Sequence, residues 1–202
     1  MSEHPVVGPL FSAHTLERSV LATLRDFLPP YLTIACELNG IDEGIAKVES
    51  WGLESELADD WPSQGMPALL VVSGSTTDEP EEGGDGMIKA EWRCDVIITV
   101  KAATGPRARR YAQVYGAAIR GALMQRRTLG EELQVARWLG EDTGSTVRDD
   151  EDPESSVCSV ANAFGVVRER VLSWQKGAGS LKPIPDGWPE VTEIEVDMEV
   201  KE

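Results

Sequence analysis

The side chains that most often act as catalytic bases and nucleophiles are sparse in this 202-residue sequence. His4 and His14 are its two histidines, and both lie close to the N-terminus. A Ser-His-Asp or Cys-His arrangement would need one of them, because imidazole is the base that activates the hydroxyl or thiol. Cys36, Cys94 and Cys158 are too far apart in sequence for a zinc site or a disulfide framework. We therefore expect buried, reduced thiols and no nucleophilic site.

Short motifs that hold phosphates, oxyanions or metals are also incomplete. Residues 72–75, Val-Ser-Gly-Ser, lack the two flanking glycines of a nucleophile elbow. Residues 83–86, Gly-Gly-Asp-Gly, lack the Lys-Ser/Thr pair and the following helix of a phosphate-binding loop. Residues 149–154 are acidic but lack the alternating ligands and internal glycine of a calcium loop. The sequence predicts that the protein is not an enzyme and binds no cofactor or metal.

The negative charge is concentrated in three segments. The chain has 35 acids against 19 Lys and Arg, a formal net charge of −16 at pH 7. Residues 78–85, 149–154 and 186–202 hold 17 of those acids with one base, so the remaining residues are neutral overall. Dense like charge opposes burial, and we expect the first two segments to be exposed loops. The excess of acids over bases disfavours binding to nucleic acid or to an anionic membrane, because both need clustered Lys and Arg.

The apolar stretches are short. Residues 68–72 and 96–100 are among the longest, well below the roughly 20 residues that span a bilayer. The N-terminal Met-Ser-Glu-His-Pro lacks the basic and apolar regions of a secretory signal. We expect no transmembrane helix and a cytosolic origin.

Hydrophobic periodicity predicts the helices and strands that must position the candidate side chains. In residues 15–28 apolar side chains recur at helical spacing, and Pro29 and Pro30 predict the end of this helix. Residues 31–38 are interpreted as a strand, and residues 40–67 as an acidic loop. The chain is therefore expected to begin with one short helix.

The middle of the chain predicts two buried strands and a long helix. Residues 67–74 form a short apolar run between turn residues, typical of a buried strand. Residues 90–104 alternate in polarity. Their predicted core face comprises Trp92, Cys94, Val96, Ile98, Val100 and Ala102. After Thr104, Pro106 opens a helix that runs to about Arg127. Its predicted buried stripe comprises Ala108, Tyr111, Ala112, Tyr115, Ala118, Ile119 and Ala122.

The last third predicts strands at residues 133–139 and 156–175, a Gly/Pro linker at 177–189 and an alternating strand at 191–201. Strands grouped in runs indicate an α+β fold class. We expect a mainly antiparallel sheet packed against one long helix plus an N-terminal helix, with a tethered C-terminal strand. The predicted divisions are an N-terminal arm at 1–14, the α+β domain at 15–176, and the linker with the acidic strand at 177–202.

Six arginines gather on the long helix, with no acid between Thr104 and Thr128. Bases in the first turn oppose the helix dipole, where acids are preferred. One interpretation is a solvated helix face. The other is a head-to-tail contact between copies, in which this positive face meets a neighbour's negative one. The candidate subunit-interface residues are Arg107, Arg109, Arg110, Arg126 and Arg127.

The order of elements and several short strings resemble the tail terminator proteins of long-tailed bacteriophages. The strings include Pro-Ala-Leu-Leu-Val-Val from Pro67, the strand that begins at Trp92, and Ala-Gln-Val-Tyr-Gly-Ala-Ala-Ile-Arg at residues 112–120. Residues 191–200, Val-Thr-Glu-Ile-Glu-Val-Asp-Met-Glu-Val, are similar to the ends of such proteins from phages of actinobacteria. The likeness covers roughly residues 15–200 and includes no catalytic or ligand motif.

The resemblance implies a structural protein of the virion tail or neck, made in the host cytoplasm, that forms a ring of six copies. Such a ring caps the tail tube protein, stops tube polymerisation and joins the head-tail connector protein, with no membrane partner. DNA passes through it without specific binding, and we expect some acidic segments to line the channel so that DNA slides without sticking. The candidates for an acidic lumen or partner face are Asp78, Glu79, Glu81, Glu82, Asp85, Glu193, Glu195, Asp197 and Glu199.

Other interpretations remain open. Another phage neck protein, such as a head-tail stopper, or a tube subunit would differ in oligomer size and in position in the particle. A non-phage acidic protein that mimics DNA would need its acids spread over a folded surface, whereas 17 acids lie in three segments here. An unrecognised enzyme would show a turnover that mutation of one acidic pair abolishes.

Overall fold

The computed structural model describes residues 6–7, 12–41, 46–57, 65–82, 87–129, 133–149, 152–173 and 182–183. Its helices are α1 (Ala13–Leu38) and α2 (Gly105–Gln125). Its strands are β1 (Val6–Val7), β2 (Ser50–Leu53), β3 (Ala68–Thr76), β4 (Glu81–Glu82), β5 (Met87–Ala102), β6 (Leu133–Thr143), β7 (Val147–Arg148), β8 (Ser156–Ser173) and β9 (Lys182–Pro183). A 3-10 turn, Glu54–Glu56, follows β2.

The main sheet has the strand order β2-β3-β5-β8-β6, with the short strands β4 and β7 paired to β5 and β8. β2 and β3 are parallel, and the other pairs in this sheet are antiparallel. β1 and β9 form a separate antiparallel pair. A mainly antiparallel sheet with two helices confirms the predicted α+β fold class.

Both helices pack on one face of the sheet. α1 contacts β2, β3 and α2, and α2 contacts β5, β8 and β6. The residues of β5 that face the helices and are at most 1% exposed are Cys94, Val96, Ile98 and Val100. Trp92 and Ala102 pack against the same core from either end of the strand. The predicted core face of this strand is therefore confirmed.

The long second helix also forms as predicted. α2 begins after Thr104, whose extended backbone (φ −141°, ψ 150°) is that of an N-cap residue, and Pro106 lies in its first turn. Proline is tolerated there because the missing N–H has no helical partner at that position. All seven residues of the predicted stripe are buried, and Val114 and Leu123 extend it. The helix ends at Gln125, close to the predicted end.

Two adjacent prolines do not end the first helix, and the strand predicted at residues 31–38 is wrong. α1 continues through both prolines, which lie on its exposed side. Leu28, Leu32 and Cys36 extend the apolar stripe at a spacing of four and are at most 1% exposed. An interior proline costs a helix about 3 kcal/mol. The longer helix is favoured because it buries Leu32 and Cys36 in the core, with Tyr31 and Ala35 packed against that core.

Two segments interpreted as loops contain short strands. In the region 40–67, β2 pairs in parallel with β3, with Ser50 opposite Ala68. In the acidic segment 78–85, β4 pairs with β5, with Glu81 opposite Lys89. Strands of four and two residues are too short to give a periodic signal in the sequence.

The three cysteines are buried and free, as predicted. Burial raises the pKa of the Cys94 thiol, with the charges of Asp95 and Glu17 adding to the effect. A neutral thiol in this position behaves as a small apolar core side chain.

Neither α1 nor α2 has the length and continuous apolar character that crossing a membrane requires. The strand predicted at residues 191–201 lies outside the described residues.

Candidate functional site

The candidate interface arginines lie at the two ends of α2, and all five are exposed. In the first turn, the guanidinium carbon of Arg107 lies 5.3 Å from the centroid of the Tyr111 ring. Arg110 donates a hydrogen bond to the carbonyl of Asn39, at the end of α1. Arg109 forms no hydrogen bond or ion pair with any residue that the structure describes.

At the other end of α2, the guanidinium carbon of Arg126 lies 4.5 Å from the centroid of the Phe27 ring. Arg127 Nε donates a hydrogen bond to the carbonyl of Met124 at 3.3 Å. Within the described ranges, none of the five arginines forms an ion pair with an acid. Their role in a subunit interface stays a prediction.

The acidic candidates are described only in part. Asp78 forms an ion pair with Arg137 at 3.3 Å. Glu79 and Glu81 are exposed, and Glu82 lies in β4. The candidates outside the described residues are Asp85, Glu193, Glu195, Asp197 and Glu199. A shared lumen or partner face for these acids stays a prediction.

The last strand of the sheet, β6, presents an open edge. Among the strands that the structure describes, β6 pairs only with β8. Residues 127–129 hydrogen-bond to its first residues, 133–135, and cover that part of the edge. Farther along the strand, Trp138 and Leu139 are 40% and 39% exposed. A long sheet edge with exposed apolar side chains is a template for pairing with another chain.

The Trp138 ring is held in place by its neighbours. Its Nε1 donates a hydrogen bond at 3.2 Å to Oδ1 of Asn162, which is fully buried. Asn162 Nδ2 in turn donates to the carbonyl of Gly116 in α2 at 3.3 Å. The guanidinium carbon of Arg120 lies 4.7 Å from the Trp138 ring, and Arg120 also forms an ion pair with Glu141 at 3.0 Å. The exposed ring is therefore fixed before any partner binds.

Sequence reasoning found β6 but missed its position at the edge. The strand was predicted over residues 133–139, whereas it runs to Thr143. Leu139 lies at a register shift between Trp138 and Gly140, a β-bulge that interrupts the alternation of side chains. Two adjacent large apolar residues next to the charged Arg137 are the signal in the sequence that distinguishes this strand from a half-buried one.

A buried carboxylate lies near the start of α1. Glu17 is 2% exposed, and its Oε2 accepts a hydrogen bond from Ser55 Oγ at 2.5 Å. Its Oε1 accepts hydrogen bonds from the amide and the hydroxyl of Ser73 at 3.0 and 2.8 Å. Burial raises the pKa of Glu17, but the hydrogen bonds from Ser55 and Ser73 together outweigh it and lower the pKa below 4.5. The charged carboxylate thus joins α1 to β3 and to the turn after β2.

His14 extends this hydrogen-bonded group. Its Nδ1 lies 2.9 Å from Ser55 Oγ, and its Nε2 lies 3.3 Å from a carboxylate oxygen of Glu56. The order differs from that of a catalytic triad, because Ser55 donates its proton directly to the Glu17 carboxylate and the histidine does not stand between them. These contacts fasten the first turn of α1. Among the described residues, no group of three or more His, Cys, Asp or Glu is arranged to hold a metal ion.

Comparison with known proteins gives a distant structural likeness. No family model matches the sequence, and no curated protein matches it. Among solved structures, the chain is similar to a chain from the virion of a native gene transfer agent particle. The two are 14% identical with a TM-score of 0.43, and the match covers 78% of this chain and 98% of that chain. Likeness at this level assigns neither a family nor a function.

Proposed function

We propose that this chain is a structural virion protein, a tail terminator that assembles as a ring of six copies on the end of a phage tail tube. The observation that carries the proposal is the open edge of β6, where Trp138 and Leu139 are exposed next to a strand that pairs only with β8 among the described strands. The sequence resemblance to tail terminators supports it from a separate direction. In this role the protein acts through its surfaces.

The edge of β6 suits a head-to-tail contact. A contact between this edge and a different surface of the next copy forms a closed ring when the rotation between copies is a whole-number fraction of 360°. Trp138 and Leu139 are 40% and 39% exposed, so burying the rest of each side chain stabilises such a contact by about 1 kcal/mol. Because Asn162 and Arg120 already fix the Trp138 ring, little side-chain entropy is lost on binding.

The charges set the orientation of the copies in this proposal. The carbonyl of Arg127 accepts a hydrogen bond from the Val135 amide at 2.7 Å, so this end of α2 lies next to the β6 edge. The arginines there meet acids of the neighbouring copy, of which Glu79 and Glu81 are exposed. Exposed pairs of this kind contribute more to the orientation and rate of association than to its affinity.

One face of the ring meets the tail tube protein and the other meets the head-tail connector protein. Occupation of the tube end blocks the addition of further tube subunits. Acids that line the channel repel the DNA phosphates, so DNA passes through without specific binding. The protein then resides in the tail or neck of the virion, with no membrane partner.

Polymerisation of the cognate tail tube protein with and without this chain tests the proposal, with tube lengths measured by electron microscopy. We expect shorter tubes with a ring at one end only. Leu139→Lys places a charge on the β6 edge and should abolish the effect. Ile34→Lys is the matched control, because Ile34 is 54% exposed on α1, away from this edge. Tubes of unchanged length with the unsubstituted protein would overturn the proposal.

A further inference from the structure

A groove of about 1030 Å³ runs beside the N-terminal half of α1. Its lining is mixed: the apolar side chains Leu21, Leu53 and Leu57 lie among polar and charged ones. Its wall on the sheet side is β2, which pairs only with β3 among the strands that the structure describes. The groove therefore offers some apolar side chains and the edge of a strand, two features that bind an extended peptide.

The rim of the groove is positively charged. Arg18 and Arg25 line it and are exposed. They are seven residues apart, two helical turns, and so lie on the same side of α1. The guanidinium carbon of Arg25 lies 5.9 Å from the centroid of the Trp51 ring, and neither arginine forms an ion pair with an acid that the structure describes. Glu56, which also lines the groove, is engaged by His14 at 3.3 Å.

The pairing of β1 with β9 limits the distance between the C-terminal part of the chain and the start of α1. Val6 lies opposite Pro183, and Val7 opposite Lys182. Val7 precedes the N-cap residue Ser12 by five residues, a distance of at most about 17 Å in an extended chain. Val191 follows Pro183 by eight residues, at most about 26 Å. Residues from 191 onward are thus within reach of the groove of their own chain.

We propose that residues 193–199 dock in this groove of their own chain as an extended segment added to the edge of β2. The segment alternates between acids and the apolar residues Ile194, Val196 and Met198. Its apolar side chains pack against Leu53 and Leu57, and its acids lie close to Arg18 and Arg25. The stretch of α1 between residues 14 and 25 is about 17 Å long, which five or six extended residues match. This inference does not depend on the proposed ring.

The two edges of the sheet differ in how their arginines are engaged. At the β6 edge, Arg120 and Arg137 form ion pairs with acids of their own chain. In the groove beside α1, Arg18 and Arg25 form no ion pair with an acid that the structure describes, so their charge favours the acidic segment there.

Hydrogen exchange of the full-length chain, read by mass spectrometry, tests the docking. We expect the amides of residues 193–199 to exchange about tenfold more slowly than in an unstructured peptide. Arg18→Glu combined with Arg25→Glu should remove this protection. Arg148→Glu, a change at an exposed arginine on β7, should leave it unchanged. Val196→Asp changes the segment and not the groove, and it should also remove the protection. This variant keeps the test valid if the double arginine variant does not fold.

Three outcomes would overturn the proposal. The first is exchange at the unstructured rate in the unsubstituted chain. The second is protection that disappears on dilution, which would assign the segment to the groove of another copy. The third is binding of random-sequence duplex DNA that is lost in the Arg18→Glu, Arg25→Glu variant with no change in exchange, which would make the groove a phosphate-binding surface.

Discussion

Arg137 Nε donates a hydrogen bond to Glu91 Oε1 at 2.8 Å, across the intervening strand β8. The strands that carry these residues, β5 and β6, are not paired with each other in the sheet. The ion pair connects them over Gly165 of β8. A Cβ at position 165 would lie 2.0 Å from Glu91 Oε1, so the glycine makes room for the carboxylate. The hydrogen bond that Arg137 donates to Glu91 and the charge of that carboxylate, with a further contribution from Asp78, raise the pKa of Arg137.

The first prediction concerns this bridge. Gly165→Ala should displace the Glu91 carboxylate and break its hydrogen bond to Arg137, with a small loss of stability because the end of a glutamate side chain is free to move. Glu91→Gln should lower the melting temperature of the natural chain but have no further effect in the Gly165→Ala background. Thermal unfolding of the two single variants and the double variant measures this. Additive effects of the two changes would show that the bridge does not depend on Gly165.

Glu17 should carry part of the dependence of stability on pH. Its pKa in the folded state is below the unfolded value of 4.5, so its contribution is present above that pH and is lost as the pH falls through the folded value. Glu17→Gln leaves buried donors without a charged acceptor and should cost about 1–3 kcal/mol at pH 7. The cost should shrink toward pH 3 in denaturant unfolding experiments.

The control for Glu17 is Asp26→Asn, a change at an exposed acid of the same helix. It should alter the free energy of unfolding little at either pH. An equal loss in both variants would mean that the burial and the serine hydrogen bonds of Glu17 do not set its contribution.

Replacing Pro29 and Pro30 by alanine should stabilise the protein. Both prolines are exposed inside α1 and remove two helical hydrogen bonds. The gain is partly offset because proline also restricts the unfolded chain, by about 0.4–1 kcal/mol per residue. Two prolines at about 3 kcal/mol each, less this offset, predict a net increase of about 4–5 kcal/mol in the free energy of unfolding. A decrease would indicate that the prolines shape α1 in a way that its packing requires.

The arginines at the end of α2 should act between copies. Arg126→Glu combined with Arg127→Glu should leave the monomer folded, as judged by circular dichroism, because both side chains are exposed. Assembly measured by light scattering should weaken. The matched control is Arg18→Glu, which reverses an exposed charge on α1, the helix that packs against β2, β3 and α2. Unchanged assembly in the double variant would indicate that these arginines only form a solvated helix face.

Local patterns in the sequence predicted the elements whose own side chains alternate or recur over many residues. The faces of β5 and α2 are examples, since Cys94, Val96, Tyr115 and Ile119 each fall on a regular repeat and are at most 1% exposed. The continuation of α1 past Pro30 was missed, because the stabilising burial comes from contacts with distant strands and not from local propensity.

The interaction surfaces were harder to predict than the fold. The arginines of α2 were visible as a charge pattern, but the open edge of β6 depends on strand order, which a single sequence does not reveal. The groove beside α1 was missed for the same reason, since Leu21 and Leu53 come from separate parts of the chain. Glu17 gave no signal because its two serine partners lie 38 and 56 residues away.

The central claim is that copies of this chain close into a ring at the end of a tail tube. The mass of the native assembly, measured by light scattering on the full-length protein alone and with tail tube protein, tests it most directly. We predict a particle of about six times the 22.0 kDa chain mass, alone or on the tube. A 22.0 kDa monomer under every condition, including an excess of tube protein, would contradict the account.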